Sequence, residues 1–296
     1  MTPRHRTSPA HRARFAGLLL GVTTLAGCSD FNITGWNLSD VAVTAGDFDN
    51  VAAPLDRMVV PHRTYEGIIS VATWDPSYDY QDVAYKVEDL LGSSANMSAF
   101  STIFVASGTR GLGQRVYNGL EPDDELVSSP DVLKNTREYV KNGGVLVVTD
   151  WAYDLVEQSW PDEIDFEGDD TVYDAAQTGE IGRVAADIVD PEVADALGYD
   201  TMGVTYDYSN WAVIQDVAPD VRVIVQGSPH YHPDGQTSET LQDKPLMVVF
   251  QPPGARGKVV LTTFHIDAQT PEIMDALITA VVGNFQTDGG GTVAVQ

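Results

Sequence analysis

The sequence predicts an α/β fold: a doubly wound, mostly parallel sheet with an antiparallel hairpin at its edge. Two observations carry this. Short runs that are apolar at every position alternate with segments that are apolar at helical spacing, and strands apolar on both faces belong to a sheet covered by helices on either side. Near the C-terminus two such runs flank a Pro- and Gly-rich turn, as a hairpin does.

In chain order, Gly67-Ile68-Ile69-Ser70-Val71-Ala72 reads as the first buried strand. Tyr80 to Leu91 follows as a helix, with Val83, Val87, Leu90 and Leu91 on one face and Gly92 as its stop. Thr102 to Ala106 is a strand. Ser129-Pro130-Asp131 opens a helix carrying Val132, Leu133, Thr136, Tyr139 and Val140, closed by Asn142-Gly143-Gly144. Val145 to Val148 and Val221 to Val225 are further strands. Leu246 to Phe250 and Lys258 to Thr263 form the hairpin around Pro252-Pro253-Gly254. Thr270-Pro271-Glu272 starts a last helix through Ile273, Leu277 and Val281. Residues 157–218 interrupt the alternation; they are rich in aspartate and tyrosine and read as an acidic cap insertion with short helices. The α/β domain therefore spans 61–284. Residues 28–60 form a lead-in with room for one added strand, and 285–296 a loose tail.

The first 27 residues have the layout of a secretory leader. Arg4, Arg6, Arg12 and Arg14 precede an apolar run from Phe15 to Gly27 that is too short to span a bilayer. The run ends in Leu25-Ala26-Gly27-Cys28, which resembles the lipobox of bacterial lipoproteins, and Cys28 is the one cysteine of the chain. The resemblance implies cleavage before Cys28 and a lipid anchor on it, with several acyl chains giving stable attachment. Asp30 lies one place beyond the position that favours inner-membrane retention in enteric bacteria, so the outer membrane is the favoured address.

Charge narrows the classes of partner. The chain has 17 basic and 43 acidic residues, a net of −26; loss of the four leader arginines leaves 13 bases and a net of −30. Nucleic acid is excluded as a partner, since its binding needs basic patches. Divalent cations and cationic partners suit such a surface.

Ligands of open α/β sheets bind beyond the carboxyl ends of the strands. Three segments fall there. Ser107-Gly108-Thr109-Arg110-Gly111 is a glycine loop whose backbone can approach a ligand and whose Arg110 can meet an anion. Asp150-Trp151 ends a buried strand, where Asp150 is either a helix N-cap or a paired, functional carboxylate. Phe264-His265-Ile266-Asp267 follows the last strand. Outside this edge, His230 and His232 alternate as Zn²⁺ or Cu²⁺ ligands can, and Asp162, Asp165, Glu167 and Asp169 crowd a segment that is either a solvated acidic loop or a Ca²⁺ site.

Together, the three edge segments resemble the class I glutamine amidotransferase-like superfamily, which is flavodoxin-like in fold and includes non-catalytic, trehalose-utilisation-like relatives. The resemblance covers roughly 61–284. It sets Ser107-Gly108-Thr109-Arg110-Gly111 at the oxyanion loop, Val148-Thr149-Asp150-Trp151-Ala152 at the nucleophile turn and Phe264-His265-Ile266-Asp267 at the His-x-Glu end of the triad. Asp150 then stands where the catalytic cysteine belongs. Glutaminase chemistry through a thioester needs a thiolate, and the domain has none. The expectation is a lipid-anchored, non-catalytic binding or assembly module of the cell envelope, engaging an envelope protein or carbohydrate. The alternative is an envelope hydrolase acting through Asp150, His265 and Asp267.

Overall fold

The computed structural model describes residues 41–68, 79–113, 126–168 and 170–283. The expected leader, Cys28, Asp169, residues 69–72 of the first expected strand and the expected tail from 285 lie outside the described residues.

Thirteen short strands are present among the described residues. They are β1 (Val41–Thr44), β2 (Arg63–Tyr65), β3 (Thr102–Val105), β4 (Val145–Thr149), β5 (Ile164–Phe166), β6 (Gly182–Ile188), β7 (Thr201–Tyr206), β8 (Ile214–Val217), β9 (Arg222–Gly227), β10 (His230–Tyr231), β11 (Glu239–Thr240), β12 (Lys244–Phe250) and β13 (Lys258–Thr262). Nine build one sheet in the order β2-β1-β3-β4-β13-β12-β9-β6-β7. The pairs from β2 to β13 are parallel, and those from β13 to β7 are antiparallel. Only β12 and β6 therefore run against the common direction, which makes the sheet mostly parallel.

Side chains alternate cleanly across this sheet. Val41, Val43, Phe104, Val145, Val147 and Val260 face one core, where helices Ala52–Arg57, Pro191–Leu197 and Pro271–Ile278 contribute Leu55, Val193, Met274 and Leu277. Ala42, Ile103, Val105, Leu146, Val148 and Leu261 face the other, under helices Val87–Leu91, Pro130–Lys141 and Asp154–Ser159. Two cores on two faces explain why these strands are apolar at every position. Helix Pro130–Lys141 starts as the sequence predicts, with the Ser129 hydroxyl accepting from Val132 N–H and proline in the first turn. No helix of the described residues is long and apolar enough to cross a membrane.

The added strand for which the lead-in had room is β1, which sits between β2 and β3. Four expectations are corrected. Gly67 and Ile68 of the first expected strand lie outside any strand, and the short β2 precedes them. The helix expected over 80–91 is a 3₁₀ turn, Tyr80–Asp82, and a short helix, Val87–Leu91. Glu66 breaks it, because its N–H bonds to Tyr85 O while its carbonyl takes Val87 N–H, holding 85–87 extended beside the strand end. The β12–β13 hairpin lies inside the sheet, and β6 and β7 carry the antiparallel edge. Those two strands come from 157–218, so the insertion extends the sheet instead of forming a helical cap. It also contains β5 and β8, paired with each other, and helix Pro191–Leu197.

Candidate functional site

Strands β1, β3, β4, β7 and β13 run in one direction, so the residues that follow them meet at one edge. Ser107 comes after β3, Asp150 after β4, Asp207 after β7 and His265 shortly after β13. Asp49 lies a few residues past β1.

His265 is the centre of the group and is 4% exposed. Its Nε2 lies 3.0 Å from Asp150 Oδ2 and 3.2 Å from Ser107 Oγ. Its Nδ1 lies 2.9 Å from Asp207 Oδ1. Asp150, 1% exposed, also accepts from Ala212 N–H at 2.7 Å and from the Ser107 hydroxyl at 3.5 Å. Ser107 N–H donates to Thr149 Oγ1 at 2.9 Å. Asp49 is buried behind the imidazole, where its carboxylate takes the N–H groups of Ile266 at 3.0 Å and Asp267 at 3.2 Å. Gln269 Nε2 donates to His265 O and to Thr205 O, and Gln269 Oε1 takes Thr205 N–H, fastening the histidine loop to the edge strand β7.

Local backbone geometry aims Asp150. It sits at φ +42° on a tight strand-to-helix turn, a left-handed conformation that aspartate tolerates better than most residues. Thr149, not Asp150, is the N-cap of the following 3₁₀ turn, Asp150–Tyr153, and that cap has no side-chain hydrogen bond. The carboxylate is engaged by Ala212 and His265 instead, so of the two roles open to Asp150 the paired one is observed.

The protonation directions agree with this geometry. Burial opposes charge on His265, but the hydrogen bonds to Asp150 and Asp207 and the attraction of Asp150 and Asp49 outweigh it and hold the imidazole pKa well above its ordinary value. Burial raises Asp150, partly offset by His265. Burial also pushes Asp207 up, but the hydrogen bond and charge of His265 win and its pKa falls below the ordinary value. An imidazolium that donates both N–H groups to carboxylates has no lone pair left to take a proton from Ser107. Ser107 is itself fully buried.

Asp267 does not join the cluster. Only its backbone N–H is engaged there, and the residue is exposed. The acid that orients His265 is Asp207, which sequence reasoning missed, as it missed Asp49. The alternating Thr201-Met202-Gly203-Val204-Thr205-Tyr206 run was the available signal for Asp207, since it marks a strand ending there.

The other candidates do not converge on this group. Gly108 and Gly111 have φ +76° and +75°, and a Cβ at either would strike Phe48 (2.4 Å) or Leu126 (2.7 Å), so both glycines serve packing. Arg110 Nε lies 3.2 Å from Glu88 Oε1, with the guanidinium over the Tyr80 ring. Trp151 Nε1 donates to Asn210 O at 2.5 Å, and its ring meets Phe48 edge-on. His230 Nδ1 contacts Thr240 Oγ1, while His232 Nε2 lies 3.4 Å from Glu180. Asp162 and Asp165 point to solvent, and Glu167 bonds Gln215. Among the described residues no three His, Cys, Asp or Glu side chains are arranged to hold a metal ion. A cavity of about 530 Å³ lies at the opposite end of the strands, lined by Ser94, Ser98, Phe100, Glu138 and Asn142 among others.

No family model matches the chain, and no curated protein matches it in sequence. Solved structures overlap with it in fold. The mmIFT52 N-terminal domain is 12% identical at a TM-score of 0.48, covering 87% of this chain and 100% of that one. A glutamine amidotransferase from Methylobacillus flagellatus is 10% identical at 0.40, covering 78% of this chain and 70% of that one. A glutamine amidotransferase from Thermotoga maritima is 11% identical at 0.39, covering 86% of each. At these values the likeness is one of fold and carries nothing about activity.

Proposed function

We propose that this chain is a lipid-anchored, non-catalytic binding or assembly module of the cell envelope, in which the edge that would hold a catalytic triad is a structural ion-pair cluster. The observation that carries the reading is His265 clamped between Asp150 and Asp207 in a buried setting. A histidine in that state orients and holds; it does not take a proton from a nucleophile. The cluster ties the insertion, through Asp207 and Ala212, to the ends of β4 and β13. The leader and Cys28 motif support the anchor, and the net charge of −26 supports a cationic partner or an uncharged envelope ligand over an anionic one.

The alternative, a hydrolase working through Asp150, His265 and Asp267, makes a different forecast. The full chain and its His265→Ala variant are assayed for hydrolysis of glutamine and of envelope polysaccharide. The proposed reading expects no turnover that depends on His265. Turnover that is present in the parent and lost in the variant contradicts it.

A further inference from the structure

Strand β7 ends the nine-stranded sheet on its antiparallel side. It bonds to β6 through alternate residues. Ile188 N–H donates to Asp200 O, and the antiparallel register carries that spacing on to Met202, Val204 and Tyr206. The N–H and C=O groups of Thr201, Gly203 and Thr205 therefore point away from β6, along the outer edge of the sheet. One of the three is already engaged. Gln269 Nε2 donates to Thr205 O at 2.9 Å, and Thr205 N–H donates to Gln269 Oε1 at 2.8 Å. Those are the two hydrogen bonds that one residue of a tenth strand would make. Gln269 is itself buried and donates to His265 O, so this amide is held in place.

The edge thus already seats a peptide-like amide at Thr205, and it stays open at Thr201 and Gly203. Thr201 is exposed and Gly203 half-buried, and no group among the described residues takes their outward N–H and C=O. Such an edge is a template for strand addition, in which main-chain hydrogen bonds supply the affinity. The surrounding charge selects what is added. Asp187 lies opposite Thr201 on β6 and Asp200 precedes it, both exposed. The Arg183 guanidinium lies across Gly203. The net charge of −26 then favours a basic segment over an acidic one, and over a second copy of this chain. On the opposite face Met202 and Val204 are buried in the core, so every second residue of an added strand meets apolar surroundings.

We propose that the Thr201–Gly203 edge of β7 is a docking site for an extended basic segment of a partner protein, added as a tenth strand, with Gln269 as the stop that fixes its register. This rests on the assembly reading for there being a partner, and adds where and how that partner docks. The added chain bonds to the backbone of Thr201 and Gly203, and its basic side chains lie on the face that carries Asp187. It ends or turns away before Thr205, because the Gln269 amide fills the next place.

The test is backbone amide hydrogen exchange of the full chain with a synthetic peptide that alternates lysine and valine, at millimolar concentration, and with its glutamate–valine counterpart. The lysine peptide should slow exchange at Thr201 and Gly203 by about tenfold or more, and the glutamate peptide should leave both unchanged. Gly203→Pro should abolish the protection of Thr201 without unfolding the chain, since the lost N–H points outward and proline is tolerated on an edge strand. If that variant does not fold, Gln269→Ala takes its place: with the stop removed, protection by the lysine peptide should spread to Thr205. Thr201 and Gly203 amides that exchange equally fast with and without the lysine peptide overturn the proposal, as does equal protection by both peptides. Protection that rises with chain concentration in the absence of peptide also overturns it, because the occupant is then a second copy. None of these readouts depends on His265 or on hydrolysis, so the docking site and the non-catalytic reading fail separately.

Discussion

Removing the Asp150 carboxylate is the most instructive perturbation of the edge cluster. Asp150→Ala deletes the partner of His265 Nε2 at 3.0 Å and the acceptor of Ala212 N–H at 2.7 Å. Both ion-pair side chains are almost fully buried, so solvent screening does not dilute the effect. Breaking one side of a buried pair costs about 3–5 kcal/mol. Two effects adjust this. Asp150 no longer bears its own desolvation cost, which lowers the loss, and alanine tolerates φ +42° less well than aspartate, which raises it. A loss of about 3 kcal/mol results. Asp150→Asn, which keeps the shape and an acceptor for Ala212, should lose about 1.5–3 kcal/mol, the scale of one hydrogen bond to a charged group. Urea unfolding of Asp150→Ala, His265→Ala and the double variant reads these values and their coupling. The double variant should be less destabilised than the sum of the singles. Strict additivity, with Asp150→Ala costing only about 1 kcal/mol as a lost helix cap would, would refute the reasoning.

Three further outcomes are expected. The raised pKa of His265 gives stability that is complete below 6.5 and is lost as pH rises through the folded value, while the lowered pKa of Asp207 gives stability that is lost as pH falls below 3.8; urea unfolding should therefore show a mildly acid optimum and an alkaline decline that His265→Gln flattens, and an unchanged alkaline decline in that variant would remove His265 as the cause. Val59 sits after helix Ala52–Arg57 at φ +58° and is 81% exposed, where glycine is the usual residue; Val59→Gly should raise stability by about 1 kcal/mol, and thermal melting that shows a loss instead would contradict the strain argument. Cys28→Ala should abolish incorporation of a fatty-acid probe, and an undiminished lipid signal would exclude the anchor.

What is legible in the sequence is what short stretches decide by themselves. The β3 and β4 runs, the β12–β13 hairpin and helix Pro130–Lys141 each carry their own pattern, and each forms where that pattern puts it. Asp150 and His265 are legible as neighbours too, because both follow strands of one direction. The failures are tertiary. The place of Val41-Ala42-Val43-Thr44 is not local information, because only its two parallel neighbours make it an inner strand of the sheet. Val83 to Lys86 has helical spacing, but the Glu66 backbone competes successfully for its hydrogen bonds. Asp267 is close to His265 in sequence, yet its side chain leaves the loop toward solvent, and the orienting acid arrives from Asp207, 58 residues away along the chain. The acidic crowd from Asp162 to Glu167 looks convergent as a string; alternation along β5 turns Asp165 outward between buried Ile164 and Phe166.

A His265 that stays charged between two carboxylates is the feature on which the non-catalytic reading depends. Its most direct test is the ¹⁵N spectrum of the imidazole ring in the full chain through neutral and moderately alkaline pH. Both ring nitrogens of His265 should remain protonated across neutrality, and Asp207→Asn should bring the deprotonation to lower pH. A neutral His265 ring at pH near its ordinary value of 6.5, with one nitrogen free to accept a proton, would contradict the clamp.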